Sequence, residues 1–399
     1  MPLGLYISVP FCRAKCSFCN FASGVFSPAL LERYVAHLEG ELRRAAQIAQ
    51  AVGGCFEPGV DSIYLGGGTP SILAPQQLER IFTSIGCSFS VQPSAEITVE
   101  CAPGTLTPEL VSTLAACGVN RASLGVQTWI DQEARAVGRL HTRAGVLGDI
   151  ARLRDAGILQ ISIDLIAGLP HQSAESWRYS LAETVAAGVP HVSIYMLEVD
   201  EDSRLGRELI AGGTRYHAHH VPDEDLTADF YLTACEQLAA AGITQYEISN
   251  FARDSQAGGE FPTHASRHNL KYWLRQPYMG FGVDAHSMLP AREAFSAHSA
   301  VRFATVDELE ALLSGTELEV IMVDERQALE ETWFLGLRLN RGLELSRLQR
   351  EFSAAALEAS RDLLSELEPS GLLTVDNGWL RLTARGRLLS NEVFSRFLA

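Results

Sequence analysis

The sequence predicts an α/β fold: parallel strands joined by crossover helices, followed by a smaller unit of helices and one hairpin. Three observations predict it. Strand-like and helix-like runs alternate over the first two thirds of the chain, the pattern of parallel strands with crossover connections. Six such runs are enough for a full or partial α/β barrel, and a doubly wound sheet is the arrangement that alternation alone also allows. Beyond about Pro290 the alternation stops, and helices precede a short hairpin.

Taken in order, strands are expected at Leu5–Phe11, Asp61–Leu65, Glu96–Cys101, Arg121–Val126, Gln160–Ile166 and His191–Leu197. Between them lie amphipathic stretches at Pro28–Gln50, Pro75–Ile85, Pro108–Ala116, Arg143–Asp155 and Ala174–Ala187. Leu31, Val35, Leu38 and Leu42 recur at helical spacing. Ser27 before Pro28, and Thr107 before Pro108 with Glu109 in the first turn, mark helix starts. Asp223–Ala241 reads as a further helix, Thr244–Phe251 as a strand, and the polar stretch Arg253–Ser266 as a loop. Glu325–Leu339 and Ser346–Leu367 read as helices, and Leu372–Val375 and Trp379–Leu382 as a hairpin turning at Asn377-Gly378. A last helix, Ala384–Phe397, completes a winged-helix-like unit. With this net charge, packing on the main domain is the expected use of that unit, not DNA binding.

Composition narrows the function classes. The 399 residues are 47% hydrophobic and 20% charged, an ordinary globular mixture. With 48 acids against 32 bases the net charge is −16, which argues against a nucleic-acid or anionic-membrane partner. No apolar run reaches the length of a membrane span, and Met1–Phe11 reads as a first strand, not a signal peptide. A cytoplasmic, reducing location is expected, in which thiols stay free. Five of the eight cysteines (Cys55, Cys87, Cys101, Cys117, Cys235) are scattered and read as small apolar residues.

Cys12, Cys16 and Cys19 are different. They form C-x3-C-x2-C directly after the first strand, in the loop at its C-terminal end, where barrel proteins build sites. A 4Fe–4S cluster ordinarily takes four thiolates, so three leave one iron open to a small chelating molecule. S-adenosylmethionine, with amino and carboxylate groups on one carbon, suits that iron. A zinc site is the competing reading, and no histidine or cysteine lies between Cys19 and His37 to complete it. Arg13 and Lys15 stand among the thiols as charge partners or as solvated cations, and Phe18 can cover an adenine or shield the cluster. The ends of the later strands carry Gly66-Gly67-Gly68-Thr69-Pro70, Glu100, Gln127, Asp164, and Tyr195 with Met196. Each alone is a turn or capping residue. One polar group at the mouth of nearly every strand, on the face of the cysteines, is what a ligand site requires. His217, His219 and His220 form a further group that reads as a solvated loop.

With these residues in view the chain resembles the radical S-adenosylmethionine proteins, and within them the oxygen-independent coproporphyrinogen III oxidase branch, over roughly Leu5 to Leu289. Tyr6-Ile7-Ser8-Val9-Pro10-Phe11-Cys12 is similar to the branch's lead-in, with Ser8 where the family usually has histidine. The resemblance implies that Gly67, Gly68 and Thr69 meet the methionine amino group and that Glu100, Gln127, Arg139 and Asp164 surround the ribose and the carboxylate. Tyr6, Phe18 and Met196 are its further contacts. The oxidases proper carry a cysteine two residues beyond the third ligand, where this chain has Phe21, and a long N-terminal segment, where eleven residues precede Cys12. Both departures, with Tyr246-Glu247-Ile248-Ser249-Asn250-Phe251-Ala252 and His268-Asn269-Leu270-Lys271-Tyr272-Trp273, resemble the HemW subgroup and its H-N-x-x-Y-W stretch.

What the resemblance implies is a partial (β/α)6 radical-SAM barrel with additional α/β elements and the small winged-helix-like C-terminal domain. Residues 1–240 would be the barrel with the cluster, 241–320 an extension carrying the H-N-x-x-Y-W stretch, and 321–399 the C-terminal domain. It further implies a haem chaperone whose ligands are the cluster, exchangeable S-adenosylmethionine and haem, and whose partners are a haem-acceptor protein and an electron donor. His268 is the haem candidate, as iron ligand or propionate contact, against a structural histidine packed beside Trp273; His264 is a weaker second. Aromatic residues of Asn250–Gly282, namely Phe251, Phe261, Tyr272, Trp273, Tyr278 and Phe281, would cover the macrocycle, with Arg267 and Lys271 facing the propionates. The alternatives are a coproporphyrinogen III oxidase and a structural cluster protein without S-adenosylmethionine chemistry.

Overall fold

A computed structural model of the chain describes residues 1–255, 259–293, 298–315 and 317–398, all but the side chain of Ala359. The six expected strands form and run parallel in sequence order: β1 (Leu3–Val9), β2 (Gly59–Gly67), β3 (Ser90–Cys101), β4 (Arg121–Gln127), β5 (Gln160–Ala167) and β6 (His191–Met196). Later chain adds to both sides. β7 (Ile243–Gln245) and β8 (Asn250–Arg253) extend the β6 side antiparallel. β9 (Tyr278–Phe281) joins β1 in parallel and is followed by antiparallel β10 (His286–Pro290), β11 (Ala300–Ala304) and β12 (Glu319–Val323). The order is β12-β11-β10-β9-β1-β2-β3-β4-β5-β6-β8-β7, a 12-stranded sheet with a different strand at each end. The barrel is therefore partial, as expected, and not closed.

Alternation along the strands sorts the side chains into two sets. Leu5, Ile7, Ile63, Leu65, Val99, Leu124, Ile163 and Ile194 are buried in the main core, against helices such as Pro28–Arg43 and Pro75–Ser88. Burial of each such side chain contributes about 1.5–3 kcal/mol. The other set is polar. Tyr6 pairs with Tyr64, Tyr64 with Thr98, Glu100 with Ser123, Gly125 with Asp164, and Asp164 with Ser193. A polar inner face thus runs across β1 to β6. Its lower half (Ser62, Glu96, Arg121, Ser162, His191) is buried, whereas higher up Tyr6, Tyr64, Glu100 and Asp164 are partly exposed and Tyr195 is 44% exposed.

Several boundaries move for local reasons. β1 ends at Val9 because Pro10 has no N–H for the ladder. The expected Pro28–Gln50 helix is two, Pro28–Arg43 and Ala45–Ala51, broken at Arg44. Thr244–Phe251 is not one strand but the β7–β8 hairpin, with Glu247 buried at its turn. The expected loop Arg253–Ser266 begins with the last residue of β8, and residues 256–258 of it lie outside the described residues. β9 to β12 and the helices Arg204–Ile210 and Arg267–Trp273 were not read from the sequence. The segment 241–320, expected as an extension, packs Met279, Phe281, Leu289 and Val301 into the main core.

The C-terminal unit has a three-stranded antiparallel sheet, β13 (Leu343–Glu344), β14 (Leu373–Asp376) and β15 (Trp379–Leu382), in the order β13-β15-β14. The hairpin turns at Asn377 and Gly378 as expected, with φ of 50° and 80°, the left-handed pair that a two-residue turn demands. The helix expected over Ser346–Leu367 is three short ones, since Ser353 caps a new start by accepting from the Ala356 N–H. The final helix is likewise two, Ala384–Leu388 and Ser390–Ser395. Trp333, Leu337, Leu380 and Val393 share a core with Met288, Ala300 and Val323 of the main sheet. Among the described residues no helix is long and apolar enough to cross a membrane.

Candidate iron–sulfur and cofactor site

The three cysteines sit on the loop that leaves β1, and all three thiols are free and half-buried. The loop is pinned at each end. Cys12 N–H donates to the Gly24 carbonyl (2.8 Å), and Ser17 N–H to the Val137 carbonyl (3.1 Å). Leu205 N–H in turn donates to the Ser17 carbonyl (2.8 Å), and the Arg204 guanidinium donates to the Lys15 carbonyl. The thiols are close enough for Cys12 and Cys19 to disfavour the Cys16 thiolate. Burial is the larger cause that pushes the Cys16 thiol up, and Arg139 and Arg204 pull it back. The cations facing Cys16 are thus Arg139 and Arg204 rather than its sequence neighbours. Lys15 instead donates to the Phe21 carbonyl at the surface (3.1 Å). The Thr69 hydroxyl lies 3.5 Å from the Cys12 sulfur. Phe18 rests beside Val137, Ile166 and Leu169 at the β5 end.

The strand-end residues converge beside this loop. Glu100 accepts from the Tyr64 hydroxyl (2.8 Å) and from Gly67 N–H (3.1 Å). Burial raises its carboxyl to about 7, with Asp164 adding to the shift and Tyr64, Gly67 and Arg139 opposing it. Asp164 is raised by burial too, against hydrogen bonds from Ser193, Ser123 and Ser162 and the charge of Arg139. Gly125 makes room for that arginine: a Cβ there would lie 2.7 Å from its guanidinium and 3.1 Å from the Gln127 amide nitrogen. Gln127 stands at a bulge in β4 with φ of 68°, a conformation unfavourable for a side chain and characteristic of sites that must aim one. Among the described residues its Oε1 and the Nε of Arg139 are buried without partners.

The glycine turn is built for close approach. A Cβ on Gly68 would lie 2.6 Å from the Val9 carbonyl oxygen and 2.8 Å from that of Phe11. Gly67 has φ of 98°, and its missing Cβ would lie 3.3 Å from the Tyr6 hydroxyl. The N–H groups of Gly67, Gly68 and Thr69 are committed to Glu100, Val9 and Phe11, so this turn has no free amide to offer a ligand. Met196 packs at the margin of the main core, and Tyr195, its neighbour, shares the inner face with Asp164.

His268 is elsewhere. It lies in the helix Arg267–Trp273, fully buried, which fills the lower inner face. Its Nδ1 lies 3.0 Å from the Ser62 hydroxyl and its Nε2 2.8 Å from the Tyr272 hydroxyl, and its ring stacks on Tyr64 at 5.4 Å. Burial, then Lys271, pushes it down to about 3, so it is neutral. Neither nitrogen is free for an iron while the helix is in place. Lys271 pairs with Asp61 at 2.8 Å, and Phe251 and Phe281 are core residues. Of the residues expected to cradle haem, Lys271 and Tyr272 join His268 in sealing the base of the barrel, whereas Arg267 is exposed. His264 is held by Gln160 at 2.8 Å.

The donor set fits the groups expected of it: three thiols flanked by two guanidinium groups, and beside them a buried acceptor and a buried donor without partners among the described residues. Among the described residues no three histidine, cysteine or acidic side chains are placed to hold a single metal ion. Residues 6–183 match the Radical SAM superfamily and residues 323–389 the HemN C-terminal domain. The chain is 31% identical to the heme chaperone HemW of Lactococcus lactis over 401 residues, covering 100% of this chain and 97% of that protein. It is 32% identical to heme chaperone HemW of Mycobacterium tuberculosis over 405 residues, covering 100% of this chain and 95% of that one. Among solved structures it is similar to coproporphyrinogen III oxidase (HemN) of Escherichia coli, with a TM-score of 0.80 over 99% of this chain and 90% of that one, at 23% identity, a likeness of fold. Radical SAM proteins carry a 4Fe–4S cluster and S-adenosylmethionine, the two groups that this donor set suits. By its full-length likeness to these chaperones and its radical SAM core, the chain belongs to the HemW family of the radical SAM superfamily.

Proposed function

We propose that the chain is a haem chaperone that binds haem and passes it to an acceptor protein. The observation that carries this is the end-to-end likeness to proteins named heme chaperone HemW. In this reading Cys12, Cys16 and Cys19 hold the cluster, and Arg139 and Arg204 offset its negative charge. When bound, the cluster supplies an open iron for S-adenosylmethionine and an electron for its sulfonium. The chain's own residues do the positioning. Glu100 and Asp164 accept hydrogen bonds from ribose hydroxyls, and Arg139 with Gln127 meets the carboxylate. The methionine amino group donates, so it is met by oxygen atoms, including the Thr69 hydroxyl. Tyr6 and Phe18 wall the site, and Tyr195 takes the place expected for Met196. An electron-donor protein completes the partner set.

The oxidase reading is disfavoured by Phe21, which is 62% exposed where the oxidases carry a cysteine. The deciding experiment gives anaerobically reconstituted protein haem in one arm, and coproporphyrinogen III with S-adenosylmethionine and a reductant in the other. Stoichiometric haem binding without decarboxylation supports the chaperone. Efficient formation of protoporphyrinogen IX restores the oxidase.

A further inference from the structure

The inner face carries a row of aromatic rings that has no task so far. It starts at Tyr6, whose hydroxyl lies at the glycine turn that holds Thr69 against Cys12. The Tyr6 ring stacks on Tyr64 at 6.2 Å, Tyr64 on His268 at 5.4 Å, and His268 packs edge-to-face with Tyr272 at 5.1 Å. Tyr272 meets Tyr278 at 4.6 Å, and both are partly exposed, so the row crosses the seal at the base of the barrel. Two of its tyrosines have bases. Tyr64 donates to Glu100 at 2.8 Å. The Tyr272 hydroxyl lies 2.8 Å from His268 Nε2, and His268 Nδ1 lies 3.0 Å from the Ser62 hydroxyl. With its proton on Nδ1, the imidazole accepts from Tyr272. Tyr34 and Tyr231, outside the row, donate instead to the carbonyls of Ser8 and Ile248, which take up no proton.

We propose that Tyr6, Tyr64 and Tyr272, with Glu100 and His268 as proton acceptors, form a relay that carries an oxidising equivalent from the cofactor site to the partly exposed end of the row. This relay rests on the radical SAM core and not on the haem reading. A phenol loses an electron readily only where a base within hydrogen-bond reach takes its proton, because the oxidised phenol is a strong acid. Glu100, raised by burial to about 7, is a better base than an ordinary carboxylate. His268, pushed down to about 3, is still far more basic than an oxidised phenol. The oxidant is a carbon radical, the class that one-electron cleavage of a sulfonium yields. It takes a hydrogen atom from the Tyr6 hydroxyl: the O–H bond breaks, a C–H bond forms, and Tyr6 is left as a phenoxyl radical. Tyr64 passes an electron to Tyr6 and its proton to Glu100, while Tyr6 takes a proton from water. Tyr272 then passes an electron to Tyr64 and its proton to His268, and Glu100 returns its proton to Tyr64. A small thiol in solution, R–SH, gives Tyr272 an electron, His268 returns the proton, and the thiol's proton replaces the one drawn from water. The sum is C• + R–SH → C–H + R–S•. Arg338, 4.3 Å from the ring centre of Trp273, disfavours a positive hole there and keeps the end of the row at the tyrosines. The relay spares the backbone around the cofactor site when the radical finds no substrate hydrogen.

The test starts the hole from each end of the row and reads freeze-quenched radicals by high-field electron paramagnetic resonance. From outside, the full chain without cofactors is oxidised by flash photolysis of a ruthenium tris-bipyridyl sensitiser with persulfate. From inside, the reconstituted, reduced protein is mixed with S-adenosylmethionine after excess reductant has been removed. The wild type should give the same hydrogen-bonded tyrosyl signal both ways. Y272F should lose it both ways, and Y231F should keep it. Y64F should keep the signal started from outside and lose the one started from inside. Difluorotyrosine in place of Tyr272 preserves the packing and should add fluorine splitting to the signal, which keeps the assignment testable if Y272F does not fold. A signal unchanged in Y272F, a fluorinated chain without that splitting, or an inside signal that survives Y64F overturns the relay. So does a wild type that gives no tyrosyl signal from inside. Each of these outcomes leaves the chaperone reading standing, since none of them measures haem.

Discussion

Glu100 is where burial and ligand recognition meet. Its carboxyl is raised to about 7, so near neutral pH it is divided between acid and carboxylate. An acid raised on folding keeps its proton in the native state after the unfolded chain has released it. Its contribution to stability is therefore greatest below the unfolded value of 4.5 and declines as pH rises through about 7. The carboxylate accepts hydrogen bonds from ribose more strongly than the neutral acid, so S-adenosylmethionine affinity should rise between pH 6 and 8. Calorimetric titration should show that slope in the wild type and a flat response in Glu100→Gln. A slope that persists in the variant would assign it to another group. The thiols give a second expectation. Cys12→Ala, Cys16→Ala and Cys19→Ala should each abolish iron, while Cys55→Ala, Cys117→Ala and Cys235→Ala retain about four irons by colorimetric assay. The C-x3-C-x2-C spacing was legible because cluster ligation imposes a local pattern. Arg204 was not: it donates to the Lys15 carbonyl and its charge favours the Cys16 thiolate across a long stretch of chain, and no spacing rule announces such a contact. Tyr195 and Met196 were separable only by strand register, which a one-residue uncertainty reverses.

The helix Arg267–Trp273 carries the stretch expected to meet haem. Its histidine and lysine looked like haem contacts, but it turns them into the barrel, where Ser62, Tyr64 and Asp61 receive them. His268→Ala should therefore lower stability by about 2–4 kcal/mol, through lost hydrogen bonds and an unfilled space, while leaving hemin affinity of the folded protein unchanged. Urea unfolding and hemin titration on the same sample separate the two effects, and weakened binding at full stability would return this histidine to the haem site. At this scale the sequence spoke clearly where apolar residues repeat with one period. β1 to β6 and the Asn377-Gly378 hairpin belong there. β9 to β12 are short and interrupted, and β7 and β8 are joined by a turn without glycine or proline, so neither group carries a local signature. They form because the edges of the parallel sheet supply partners.

Across the molecule, the C-terminal unit is fastened to the sheet by Glu331, which accepts from Arg275 at 2.9 Å and Arg302 at 2.6 Å. Glu331 and Arg275 are nearly buried, and Arg302 is 41% exposed. Removing the carboxylate strands the Arg275 charge, and Glu331→Ala should cost about 1–3 kcal/mol. Hydrogen exchange should quicken in Glu325–Leu337 and β11 before it changes in β2 to β5; uniform quickening would mean that the two units unfold as one. The partial barrel was legible from alternation, whereas the way later chain completes both sides of the sheet was not, because pairing between distant segments is a property of the assembled surface. That assembly has one more effect. The inner face is sealed below by His268 and Lys271 and grows more exposed toward Tyr195, so among the described residues its accessible end is the one beside the cysteine loop. A protein docked over that loop would slow exchange of a small molecule held there without touching it.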